Sequence, residues 1–245
     1  MSFHRITYNE KHRFATVHNF GCTLRCPTCS YKLRSGSNGR PGQITPRPTR
    51  FLSMDEVRRA LRSVPIEKVN FMGGEPTVAT ELPEALAFCK QELSVRTFLG
   101  HTIGLRLPLP HLDGANVGLK AWDDEVHRRY TGRERQPFFD NFAAAYRAGL
   151  EMRANIVFIP GFVDLDQVEA VAAWVAALDR TIPFHIMGYI PVPGQPFPRP
   201  TAAQMEQAVT VCRQHLNKVD ASHLTVEEAL NLVTRDDRFA VRQIA

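Results

Sequence analysis

The sequence predicts an α/β fold in which parallel strands alternate with helices that cover their outside. Three observations carry that prediction. Short β-branched and aromatic segments alternate with amphipathic helical segments about six times, the pattern of strand–helix–strand crossovers. No internal repeat and no long linker divides the chain. Its 245 residues are enough for one large α/β domain with a sizeable core.

The composition narrows the class. No apolar run approaches the roughly 20 residues of a membrane span, and MSFHRITYNEKHRF at the start lacks the apolar centre of a signal peptide. The expectation is a cytoplasmic protein without a membrane partner. Five cysteines, three of them clustered, do not fit a secreted disulfide framework. A net charge of +5 serves solubility first.

In chain order, Arg13–Phe20 (RFATVHNF) reads as a strand. Cys22, Cys26 and Cys29 follow at its C-terminal end, where open α/β sheets place their chemistry. Residues 31–50 then change character. Lys32, Arg34, Arg40, Arg47 and Arg50 lie among glycines, prolines and serines with no acid. This basic loop is either a binding loop at the mouth of a site or a solvated excursion. Ser53 and Glu56 form a capping box that starts a helix to about Ser63, with Leu52 as its staple. Lys68–Met72 is a strand running into Gly73-Gly74-Glu75-Pro76. Glu81–Leu93 is an amphipathic helix whose apolar face includes Cys89. Val95–Gly104 holds a strand and a turn, and Leu105–Gly114 is irregular because of its prolines. Asn116–Ala121 is a strand, and Asp123–Tyr130 a helix stopped by Gly132. Phe138–Leu150 is a helix, Ala154–Ile159 a strand, and the stripe Leu165, Val168, Val171, Val175 and Leu178 a further helix. Ile182–Ile190 is the last strand expected. Thr201–Leu216 is a helix with Met205, Val209, Cys212 and Leu216 inward. A capped helix from Thr225 ends the chain. Cys89 and Cys212 thus read as core residues, as do Trp122 and Trp174. His4, His12, His127 and His215 are expected on surfaces, and His18 and His185 on strands.

Three readings fit the cysteine loop. A zinc site normally takes four ligands, and His18 or His4 would have to complete it. A thioredoxin-like pair needs only Cys26 and Cys29 and leaves Cys22 unexplained. An iron–sulfur cluster held by three thiolates leaves one iron open to a substrate or cofactor. Gly73 and Gly74 either make a tight strand-to-helix turn or let the backbone approach a small molecule, and Glu75 can pair with an ammonium.

Together, the Cys-x3-Cys-x2-Cys loop and the Gly-Gly-Glu-Pro element resemble the radical S-adenosylmethionine (SAM) enzymes. The resemblance implies a partial (β/α)6, TIM-like barrel with parallel strands. It implies a [4Fe–4S] cluster on Cys22, Cys26 and Cys29, which are also the catalytic residues. SAM would bind its open iron, with Gly73, Gly74, Glu75 and Pro76 at the methionyl amine. Reductive cleavage then yields a 5′-deoxyadenosyl radical that abstracts hydrogen. Cys89 and Cys212 offer no second cluster, so the electron comes from an external flavodoxin or ferredoxin, and handling must be anaerobic.

Residues 117–132 and 155–164 resemble pyruvate formate-lyase activating enzyme and its relatives, which abstract hydrogen from a backbone glycine of a glycyl radical enzyme. Position by position, Thr102 falls in the turn near their cofactor, Lys120 matches the lysine of a later strand, and Asn155 lies near a cofactor-facing arginine. Thr28, His101, Gly118 and the pair Ser30-Tyr31 depart from the pattern. The expected layout is a radical SAM core over 1–216, with the basic loop 31–50 inserted after the cluster loop, and a helical extension over 217–245. Radical chemistry on a small anionic molecule or cofactor precursor, and a non-catalytic zinc module, stand as alternatives. Nucleic acid is not an expected partner.

Overall fold

The computed structural model describes residues 1–245. Nine strands form one open sheet: β1 (Phe3–Asn9), β2 (Phe14–Asn19), β3 (Lys68–Gly73), β4 (Arg96–Thr102), β5 (Gly114–Gly118), β6 (Glu151–Phe158), β7 (Phe184–Gly188), β8 (Val219–Ser222) and β9 (Arg242–Gln243). Their spatial order is β8-β7-β6-β5-β4-β3-β2-β1-β9. From β2 to β8 every pairing is parallel, whereas β1 pairs antiparallel with both β2 and β9. The sheet does not close. It is a partial barrel of the TIM type, as expected, with a hairpin added at one side.

Eight helices accompany it: α1 (Lys32–Ser35), α2 (Met54–Arg62), α3 (Leu82–Gln91), α4 (Asp124–Thr131), α5 (Gln136–Arg147), α6 (Leu165–Leu178), α7 (Ala202–His215) and α8 (Val226–Leu230). The capping boxes Ser53/Glu56, Thr201/Gln204 and Thr225/Glu228 all form. Gly132 ends α4 at φ 78°, a backbone that disfavours residues with a Cβ.

The period-two alternation of each strand separates two faces. Val69 and Phe71 of β3, Ile156 and Phe158 of β6, and Phe184 and Ile186 of β7 are buried in the main core. Val168, Val171 and Val175 of α6 and the two core cysteines join the same cluster. The other face, carrying His18, Met72, Asn116, Val157 and Met187, is only half-buried and lines the concave side. Trp122 and Trp174 pack edge-on against Phe139, as packing residues should.

Three features depart from the sequence reading. The N-terminal segment is a full strand, β1. Two strands lie beyond α7, and the segment after residue 216 is mixed rather than helical. It runs from one sheet edge at β8 to the opposite edge at β9, with only α8 and single 3-10 turns between. His127 is buried rather than exposed, its Nδ1 2.9 Å from the carbonyl of Arg133.

Candidate active site

The three-cysteine loop leaves the end of β2 and is fastened to the end of β3 backbone to backbone. Gly74 N donates to Asn19 O at 3.1 Å, and Glu75 N to Gly21 O at 2.9 Å. The Asn19 amide adds donations to the carbonyls of Gly21 and Glu75. This closeness requires glycine. A Cβ on Gly74 would lie 1.8 Å from Gly21 O, and one on Gly73 2.2 Å from Asn19 O. The sequence offered a tight turn or a ligand approach for these glycines; loop-to-loop packing already requires them. Gly42 of the basic loop wedges into the same junction, where Gly21 N donates to its carbonyl at 2.7 Å. The basic loop is thereby pinned beside the cysteines.

Above the C-terminal strand ends lies a cavity of about 400 Å³. Cys22, Cys26, Cys29, Gly73, Gly74, Glu75, Thr102 and Lys120 all line it. Pro76 and Asn155 do not. Pro76 starts a buried 3-10 turn, and Asn155 is buried on β6, its amide donating to Asn116 Oδ1 at 2.8 Å. Asn155 Oδ1 has no partner, and neither does Thr28 Oγ1 beside Cys29.

The electrostatics follow from burial. Desolvation pushes the Cys26 thiol up to about 12 and raises Cys22, with Lys120 opposing both. Lys120 forms no ion pair with a carboxylate, so its ammonium faces the thiols and the ring of Tyr130, 5.8 Å away. Burial, with Lys120 next in weight, lowers His101 to about 4, so His101 is a neutral wall residue at physiological pH. His18 is lowered to about 3 by the same desolvation and sits 3.0 Å from Thr7 Oγ1.

Glu75 differs most from its expected role. Its carboxylate is 1% exposed and accepts from Thr77 N (3.1 Å), Thr77 Oγ1 (2.5 Å), Thr102 Oγ1 (2.5 Å) and Ile103 N (2.8 Å). It ties the ends of β3 and β4 together instead of presenting a free charge to an ammonium. His185 lies on β7 between Asp220 and Ser222, at 2.7 and 2.9 Å. Sequence reasoning missed Tyr130, Tyr189, Met72 and Met187 as wall residues. Strand-end position and inward parity are the signals that would have found Met72 and Met187.

Residues 16–175 match the radical SAM superfamily. The chain belongs to this superfamily. The superfamily's cofactors are a [4Fe–4S] cluster and SAM. Among curated proteins, one from Methanocaldococcus jannaschii, provisionally named a glycyl-radical enzyme activating enzyme, is 27% identical over 71% of this chain and 67% of its own length. A GTP 3′,8-cyclase from Klebsiella pneumoniae is 29% identical over 63% of this chain and 48% of its own length. The chain thus spans about half of that relative. Among solved structures, Streptococcus suis SuiB bound to SAM shares the fold, with a TM-score of 0.65 at 15% identity over 93% of this chain and 56% of that one.

The site fits the superfamily's cofactors on its own geometry. The cavity is within the size of small-molecule pockets, roughly 300–1,000 Å³. It joins three thiols and a cation, and Thr28, whose buried hydroxyl has no partner, lines it as well. No three Cys, His, Asp or Glu side chains are grouped tightly enough for one metal ion. In a cluster each thiolate takes a different iron, and all three thiols reach the wall of this one cavity.

Proposed function

We propose that the chain holds a [4Fe–4S] cluster through Cys22, Cys26 and Cys29 and binds SAM beside it, to abstract hydrogen from a substrate in the concave side of the barrel. The observation that carries this reading is the meeting of all three thiols, Gly73–Glu75 and Lys120 on the wall of one cavity. When bound, the cluster and SAM supply one-electron cleavage of the sulfonium and hydrogen-atom abstraction.

The protein's own residues do the rest. The thiols give up protons to bind iron, and Lys120 favours their anionic form. Gly73 and Gly74, on a turn that Glu75 fixes, would hold the amine end of the cofactor. Thr102 shares that carboxylate. Tyr130 and Tyr189, with Met72 and Met187, keep water from the reacting atoms. Asn155 supports the wall through Asn116 and offers an unpartnered Oδ1. Pro76 shapes the turn.

The hydrogen donor is a glycine of a partner glycyl radical enzyme; the similarity to the archaeal protein supports this. A second reading, a small anionic substrate, draws on the similarity to the GTP cyclase and on the basic loop pinned beside the cysteines. Electron paramagnetic resonance separates them. Reduced, SAM-loaded protein mixed with candidate glycyl radical enzymes should give a stable protein-based glycyl signal. Turnover of a small anionic compound with no protein partner, and no glycyl signal, would favour the second reading.

A further inference from the structure

A second cavity, of about 420 Å³, shares Cys22 and Cys26 with the first. Arg25, Lys32 and Arg40 line it, with no acidic residue. None of these three is paired with a carboxylate, whereas ten of the chain's 24 arginines are. Within the basic loop, Arg50 is neutralised by Glu56 and Arg47 lies over Phe20. Arg34 donates to the carbonyl of Leu230, away from the cavity, so Lys32 and Arg40 are the loop's cations that stand against the two thiols. The wall is also fixed in place, because Gly42 is locked under Gly21.

We infer that this cavity and its three cations are the docking surface for an acidic one-electron carrier protein. The inference rests on the radical reading above, which requires one external electron per cleavage. Cys89 and Cys212 are buried in the core and supply no relay. This cavity opens on the loop that bears Cys22 and Cys26, so a carrier seated on it would lie directly against the thiol-held centre. The carrier is oxidised by one electron and the centre is reduced by one. Unpaired cations on a rigid rim attract an acidic partner, set its orientation and make binding sensitive to salt.

The test measures binding of a purified bacterial flavodoxin to the reconstituted protein. The double variant Lys32→Glu, Arg40→Glu should weaken affinity by about tenfold or more and flatten its salt dependence, with iron content unchanged. Reversing acidic residues around the flavin of the flavodoxin should restore part of the affinity. If charge reversal lowers iron content, Lys32→Gln with Arg40→Gln gives the same comparison, with a smaller expected loss. SAM cleavage driven by reduced methyl viologen, a small cation that needs no docking surface, should stay at the wild-type rate. Absent flavodoxin binding by the wild type, or affinity untouched by either pair of substitutions, overturns the docking surface alone. Failure of the wild type to cleave SAM even with methyl viologen overturns the radical reading itself.

Discussion

Two hydroxyls and two backbone N–H groups converge on the buried carboxylate of Glu75. An anion so fully engaged acts through the turn it holds. Glu75→Ala leaves the N–H groups of Thr77 and Ile103 buried without acceptors, and each such group costs about 1–3 kcal/mol. The expected loss in urea unfolding is about 3 kcal/mol, with SAM affinity falling because the Gly73–Glu75 turn loosens. Glu75→Gln, which keeps the shape and one acceptor, should lose less of both. An alanine variant of unchanged stability that loses only SAM affinity would instead mean that the carboxylate contacts the ligand directly. At this scale the sequence located the residue but not the four donors that hold its carboxylate. Glu-after-Gly-Gly marks a strand end, but nothing local announces that Thr102 and Ile103 arrive from β4 to claim the charge.

The elements that matter are the cysteine loop and the turn after β3, each the mould of the other. Gly74→Ala places a methyl 1.8 Å from Gly21 O, a backbone atom that cannot step aside. Gly149→Ala meets open space, and its cost is limited to that of its left-handed φ of 85°. Gly74→Ala should therefore cost about 3 kcal/mol and impair iron loading. Gly149→Ala should cost about 1 kcal/mol and leave iron content alone. Thermal unfolding and iron analysis of the pair check this, and equal losses would contradict it. Both motifs were legible because their chemistry is written in contiguous residues. β1 was not, since a register shift between Phe3 and Arg5 interrupts its alternation and leaves only Ile6 and Tyr8 as a short buried apolar face after it. β8 is only four residues long, VDAS, with a single β-branched side chain, and its strand character comes from pairing with β7.

At the scale of the molecule, the open sheet sets the division of labour. Its outer face is sealed by helices and its concave face stays half-polar. It gathers residues of β2, β3, β4, β6 and β7, with Lys120 just past β5, around one cavity. The alternation of strands and helices made that architecture readable. The closing path of the chain was not readable, because the tail reaches β1 through only two paired residues and a few contacts such as Asn9 to Asp237 and Ala240. The central claim is that three thiols and the cavity beside them form a cluster site that cleaves SAM. Its most direct measurement is anaerobic reconstitution followed by one-electron reduction in the presence of SAM. The expected result is a brown protein with about four irons per chain that releases 5′-deoxyadenosine, both lost in Cys26→Ala. A colourless protein with stoichiometric zinc, releasing no 5′-deoxyadenosine, would contradict the account.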